Sequence, residues 1–126
     1  MSNYNISEAE WKVMECLWEE SNLTLRQIVD KLEDTNWSYT TIRTMVTRLM
    51  EKGVVDADKS QPSSFKYFAV AREKDCKIEE AKSFLSRVFD GSIAMMVSTL
   101  AKQEVLSEKE VKELKKIIDN MEGGED

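Results

Sequence analysis

The only turn-rich stretch in this chain, Ser60-Gln61-Pro62-Ser63-Ser64, holds its only proline. Proline and glycine are the strongest local breakers of regular structure, and the remaining sequence has just four glycines. Everything before and after that stretch is therefore free to form helices. The flanking residues change period there. Val54 to Lys59 and Phe65 to Val70 alternate as two short strands, whereas the apolar residues elsewhere recur at helical spacing. The five residues read as the tip of a β-hairpin.

Three helices precede the hairpin. Ser7-Glu8-Ala9-Glu10 is a capping box with Ile6 as its hydrophobic staple. Ala9, Val13, Met14, Leu17 and Trp18 then define a helix over about 8–20. Thr24-Leu25-Arg26-Gln27 is a second capping box, and Leu25, Ile28, Val29 and Leu32 follow at i, i+3, i+4, i+7. Ser38 caps a third helix, which buries Ile42, Met45, Val46, Leu49 and Met50 and stops at Gly53. Trp11, Trp18 and Trp37 read as packing residues. The fold class is mainly α: a winged helix-turn-helix of three helices plus a β-hairpin wing, over residues 1–71.

Residues 72–126 are helical again and form a C-terminal three-helix dimerisation segment. Ile78, Ala81, Leu85 and Val88 make one stripe, with Phe84 and Phe89 beside it. Ser92 caps a helix carrying Ile93, Met96, Val97 and Leu100. Ser107-Glu108-Lys109-Glu110 is a third capping box, and Val111, Leu114, Ile118 and Met121 form a seam of coiled-coil spacing. About 50 residues rarely close a core alone. The stripes therefore call for a partner, and a second copy of the chain is the economical one. The alternative is that the segment folds back on the winged helix.

The polar face of the third helix holds Thr40, Arg43, Thr44, Thr47 and Arg48, with Thr41 at its edge. Arginine bridges two acceptors on guanine, and threonine offers a hydroxyl to base edges and a methyl to thymine. Thr40, Thr41, Arg43 and Thr44 lie in the N-terminal part that such helices point at bases. Ser38, Thr47, Arg48 and Lys52 are the expected phosphate contacts. Threonine is a mediocre helix former, so four of them on an exposed face bring a cost that packing does not repay.

Net charge argues the other way at first. The chain carries 18 Lys+Arg against 24 Asp+Glu, a formal −6, and DNA binding wants a basic footprint. Position resolves the conflict. Residues 35–70 hold five bases and three acids, and no acid lies between Thr35 and Met50. Residues 1–34 hold eight acids against three bases, and 72–126 hold thirteen against ten.

The chain has no histidine, which removes imidazole-based nucleophilic catalysis and imidazole metal sites. Cys16 and Cys76 have no CxxC partner, and no carboxylate sits inside an apolar stripe. The reading is therefore not an enzyme, with no cofactor and no metal. The longest apolar run, Ile93 to Val97, is too short to span a bilayer, and residues 1–5 lack the marks of a signal peptide. A cytoplasmic protein with no membrane association is expected. A winged-helix module that binds protein is the competing reading, although its third helix would then be expected to offer aromatic or apolar anchors rather than Thr and Arg.

Several stretches together resemble the penicillinase-repressor family. They are Ile6 to Met14, Leu17-Trp18, Trp37 to Thr44, Arg48-Leu49 through Lys52-Gly53, Phe84-Leu85, Arg87 to Ser92 and Leu106-Ser107. The resemblance implies a homodimeric winged-helix repressor on a palindromic operator with TACA/TGTA half-sites, of the kind that controls β-lactamase or related antibiotic-response genes. It also implies a sensor-linked protease that cuts in the dimerisation region, at or near Ser92-Ile93. The same fold could regulate unrelated genes without proteolysis. The family's wing usually carries Gly-Arg at its tip. This chain has none there, so Lys59 and Lys66 are the candidate wing contacts to phosphate. A copper-responsive branch carries a C-terminal cysteine cluster, and no cysteine follows Cys76.

Overall fold

A computed structural model describes residues 4–123. It divides into two compact units, one running to Ala81 and the other starting at Lys82.

The first unit contains three helices, α1 (Glu8–Glu19), α2 (Leu25–Lys31) and α3 (Tyr39–Glu51). Their starts are where local chemistry puts them. Ser7 Oγ accepts from Glu10 N at 3.1 Å, and Glu10 Oε1 accepts from Ser7 N at 3.0 Å. Thr24 and Gln27 repeat the reciprocal pair at 3.2 and 2.8 Å. Ser38 Oγ accepts from Thr41 N at 3.1 Å. Each box satisfies N–H groups that a helix start leaves open. At the far end of α3, Gly53 takes φ +80°, and the N–H groups of Gly53 and Val54 return to Met50 O and Leu49 O. A side chain at Gly53 would meet nothing, so the left-handed backbone itself is what selects glycine there.

The wing consists of β2 (Val55–Asp58) and β3 (Lys66–Ala69), antiparallel, with Val55 opposite Ala69 and Asp58 opposite Lys66. The sheet has a third strand that the sequence pattern does not reveal. β1 (Leu23–Thr24) pairs with β3 through Leu23–Tyr67 and Thr24–Lys66, giving the order β1-β3-β2. Two residues are too short to show a period. What makes them a strand is the edge of β3 beside them.

The core lies between the three helices and this sheet. Val13, Met14, Ile28, Ile42, Leu49 and Val54 are fully buried in it. Trp11 and Trp18 pack edge to face with centroids 5.2 Å apart, against the core. Trp18 also donates from Nε1 to Ala71 O at 2.9 Å, which ties α1 to the chain leaving the wing. Ala71 and Cys76 are buried in the same cluster, so the start of α4 (Glu73–Phe89) belongs to this unit.

The second unit holds the rest of α4, then α5 (Ile93–Lys102) and α6 (Glu108–Gly123). α4 ends at Asp90 and Gly91, with φ +51° and +82°, and Gly91 N returns to Leu85 O at 2.7 Å. Ser92 Oγ caps α5 through Met95 N, and Ser107 and Glu110 form the capping box of α6. Among the described residues of this unit none is buried.

Candidate nucleic-acid interface

The buried side of α3 is Ile42, Met45, Val46 and Leu49. The helix period then turns Thr40, Arg43, Thr44, Thr47 and Arg48 outward, and all five are exposed. Neither Arg43 nor Arg48 has an ion-pair partner among the described residues. The threonines are not equivalent. Thr44 Oγ1 donates to Thr40 O and Thr47 Oγ1 donates to Arg43 O, each at 3.0 Å. With their protons turned back on the helix, Thr44 and Thr47 offer a methyl group and an acceptor oxygen. That combination suits a thymine methyl or an exocyclic amine. Thr41 accepts from Ser38 Oγ at 3.0 Å and keeps its own proton to donate.

Two expected phosphate donors are engaged inside the fold. The Ser38 hydroxyl donates to Thr41 Oγ1 and accepts from Thr41 N, so it caps α3 and has no proton left for phosphate. Lys52 Nζ donates to the Glu10 carboxylate and to Asn5 O, the latter at 2.7 Å. Glu10 is buried, at 3% exposure. Burial alone would push its carboxyl up. The bonds from Lys52 and Ser7 outweigh that and hold it below its ordinary value. Lys52 is thus a counter-ion at the end of α3, where the sequence placed it as a surface cation.

Lys59 and Lys66 sit exposed on the wing, the former with Nζ 5.6 Å from the Phe65 ring centroid. Sequence reasoning missed one part of this surface. A groove of about 430 Å³ runs between the start of α2, the first turns of α3 and the wing. Arg26, Tyr39 and Arg43 line it together with Ser63, Ser64 and Phe65, and no carboxylate does. Its signal was present in part, since Arg26 is the one base of the second capping box. A second concave surface, about 620 Å³, has the opposite character, with Glu15, Glu19, Asp34 and Glu73 against Lys12 and Lys31.

Of the expected dimerisation residues, Leu85, Phe89, Met96, Val97, Leu100 and Leu114 are half-buried. Ile78, Ala81, Val88, Ile93, Val111, Ile118 and Met121 are exposed. Ile117 and Val105 join the exposed apolar set. At the expected cleavage position Ser92 is extended, with φ −102° and ψ +111°, and Ile93 is 62% exposed. Cys16 and Cys76 are buried, and burial pushes both thiols up, which leaves neither an activated nucleophile.

Three helices, a hairpin wing and an outward Arg/Thr face on the third helix define a winged helix-turn-helix protein. The family model described as penicillinase repressor matches residues 6–120. The methicillin resistance regulatory protein MecI of Staphylococcus aureus is 34% identical over 116 residues, covering 91% of this chain and 94% of that one. The penicillinase repressor of Staphylococcus aureus is 35% identical over 117 residues, covering 92% of each. The solution structure of the DNA binding domain of the repressor BlaI superposes with a TM-score of 0.52 at 33% identity, covering 59% of this chain and 90% of that one. The chain belongs to the penicillinase repressor family.

Proposed function

We propose that this protein is a cytoplasmic, non-enzymatic, homodimeric transcriptional repressor of a palindromic TACA/TGTA-type operator. The observation that carries the reading is the outward face of α3. It sets Arg43, Arg48 and four threonines in water with no carboxylate from Thr35 to Met50, in a chain of net charge −6. Family membership supports the same reading.

In this account Thr40, Thr41, Arg43 and Thr44 read base edges in the major groove, and Thr47, Arg48, Lys59 and Lys66 meet phosphate. The apolar faces of the second unit, left in water by the single chain, are covered by a second copy. Two linked half-sites then supply affinity that one cannot. Induction is by cleavage at or near Ser92-Ile93, carried out by a sensor-linked protease. The cut separates α4 from α5 and α6 and splits the apolar surface that holds the dimer. The regulated genes are those of β-lactamase or a related antibiotic response.

Gel-shift titration of the full chain tests this reading. A duplex with the TACA/TGTA dyad should bind more tightly than a scrambled duplex of equal length, and equal affinities reject specific recognition. Arg43→Ala is expected to cost ~1–3 kcal/mol on the dyad and little on the scrambled duplex. Arg48→Ala should weaken both alike and flatten the salt dependence. Identical behaviour of the two variants would refute the division between base and phosphate.

A further inference from the structure

The groove between α2, α3 and the wing carries a role that the α3 face alone does not explain. Arg26 from α2 and Arg43 from α3 are both among its lining residues, and no carboxylate is. Four other cations are paired within the described residues. Lys31 bridges Glu19 and Glu20 at 3.7 and 3.1 Å, Lys52 is on Glu10, Arg72 is 3.6 Å from Asp75, and Lys77 is 3.1 Å from Glu73. Arg26 and Arg43 have no such partner among the described residues. The groove therefore presents two guanidinium-bearing residues and no carboxylate, so an anion entering it meets no charge of its own sign among the lining residues.

The remaining lining is suited to an oxyanion. Ser63 and Ser64 from the wing bring hydroxyl donors, and Tyr39, 47% exposed, brings a phenol. Guanidinium groups match phosphate geometry through paired N–H donors. Arg43 lies on the same face of α3 as Thr40, Thr44 and Thr47, which directs it along the base-reading side. Arg26 comes from another helix and has no such neighbours. It is the cation free to hold backbone.

We propose that Arg26 holds a backbone phosphodiester of the bound duplex in this groove while Arg43, on the facing element, reads base edges. The inference rests on the operator-binding reading above and deepens it. One phosphate held between α2 and the wing adds a sequence-independent anchor beside the base contacts of α3. Arg26 on α2 is then a backbone anchor in a protein whose wing has no arginine at its tip.

Salt-dependent anisotropy titrations of the full chain test it, with labelled dyad and scrambled duplexes. Arg26→Ala should weaken binding to both duplexes by the same factor. It should reduce the slope of log affinity against log salt by about 0.9 per half-site, the value of one phosphate contact. Arg26→Lys should retain most of that slope. The thermal midpoint of both variants should equal that of the unmodified protein, because Arg26 is exposed and unpaired. An unchanged slope in Arg26→Ala overturns the proposal. So does a loss confined to the dyad, which would make Arg26 a base reader, or a lowered thermal midpoint, which would make it a folding residue. If the unmodified protein binds neither duplex, the operator reading itself fails, an outcome separate from any behaviour of the Arg26 variants.

Discussion

Changing Leu85 and Ile118 together to aspartate is expected to convert the protein to monomers in sedimentation and to weaken binding to the dyad duplex by on the order of 100-fold or more. Leu85 is half-buried on α4, and Ile118 is 53% exposed on α6. In the single chain, then, one of the two already lies largely in water, and a charge there would cost little. In a dimer seam the same charges lose their hydration, and the association cannot offset that loss. Burying apolar surface stabilises by roughly 25 cal/mol per Å². Val88, Ile93, Ile117, Ile118 and Met121 are each more than half exposed, so the surface available for a partner is large. The effect on DNA follows from linkage of half-sites and needs no change at α3. Winged-helix stability should hold, since Leu85 and Ile118 lie outside the first unit. An unchanged dimer would refute the assigned seam. A monomer that retains full operator affinity would refute the linkage of half-sites.

What the sequence made legible was local. Caps are decided by residues three apart, so the boxes at Ser7, Thr24 and Ser107 and the caps at Ser38 and Ser92 could be read directly, and with them the helix starts. Helix faces followed from the period, which is why Ile42, Met45, Val46 and Leu49 were placed inside and Arg43 outside. Features set by distant partners were not legible. Leu23–Thr24 is a strand because β3 lies alongside, not because of its own residues. Glu10 gave no sign that it would be buried beneath α3, and Lys52 lies 42 positions away from it. The groove at Arg26 is assembled from three stretches far apart in sequence, and the charges that make it positive are unremarkable in each. Ser38 is an intermediate case. Its role as a cap was visible, but capping uses only the oxygen, and that the proton turns to Thr41 Oγ1 was not.

Lys52 separates the two readings most sharply, because they expect different things of one substitution. If its ammonium met phosphate, Lys52→Met would leave folding unchanged and reduce the salt dependence of DNA binding. The structure expects the reverse. Methionine keeps the length of the stem and removes the charge that faces Glu10, leaving a buried carboxylate with only the Ser7 bonds. Breaking a fully buried pair costs roughly 3–5 kcal/mol. Lys52 keeps 28% of its side chain in water, so the expected loss is smaller, about 2 kcal/mol, or a fall in melting temperature on the order of 10 °C at neutral pH. The pH dependence has a definite sign. Glu10 is held below its ordinary value of 4.5 in the folded protein, so its contribution is present above that value and is lost as pH falls through the folded one. In Lys52→Met the raising effect of burial is no longer outweighed by that bond, and ionising Glu10 then opposes folding as pH rises. The stability gap between the two proteins should therefore be widest near pH 7 and narrow toward pH 4. Thermal melts at both pH values measure it. Equal melting at pH 7, together with a flattened salt slope, would return Lys52 to the phosphate.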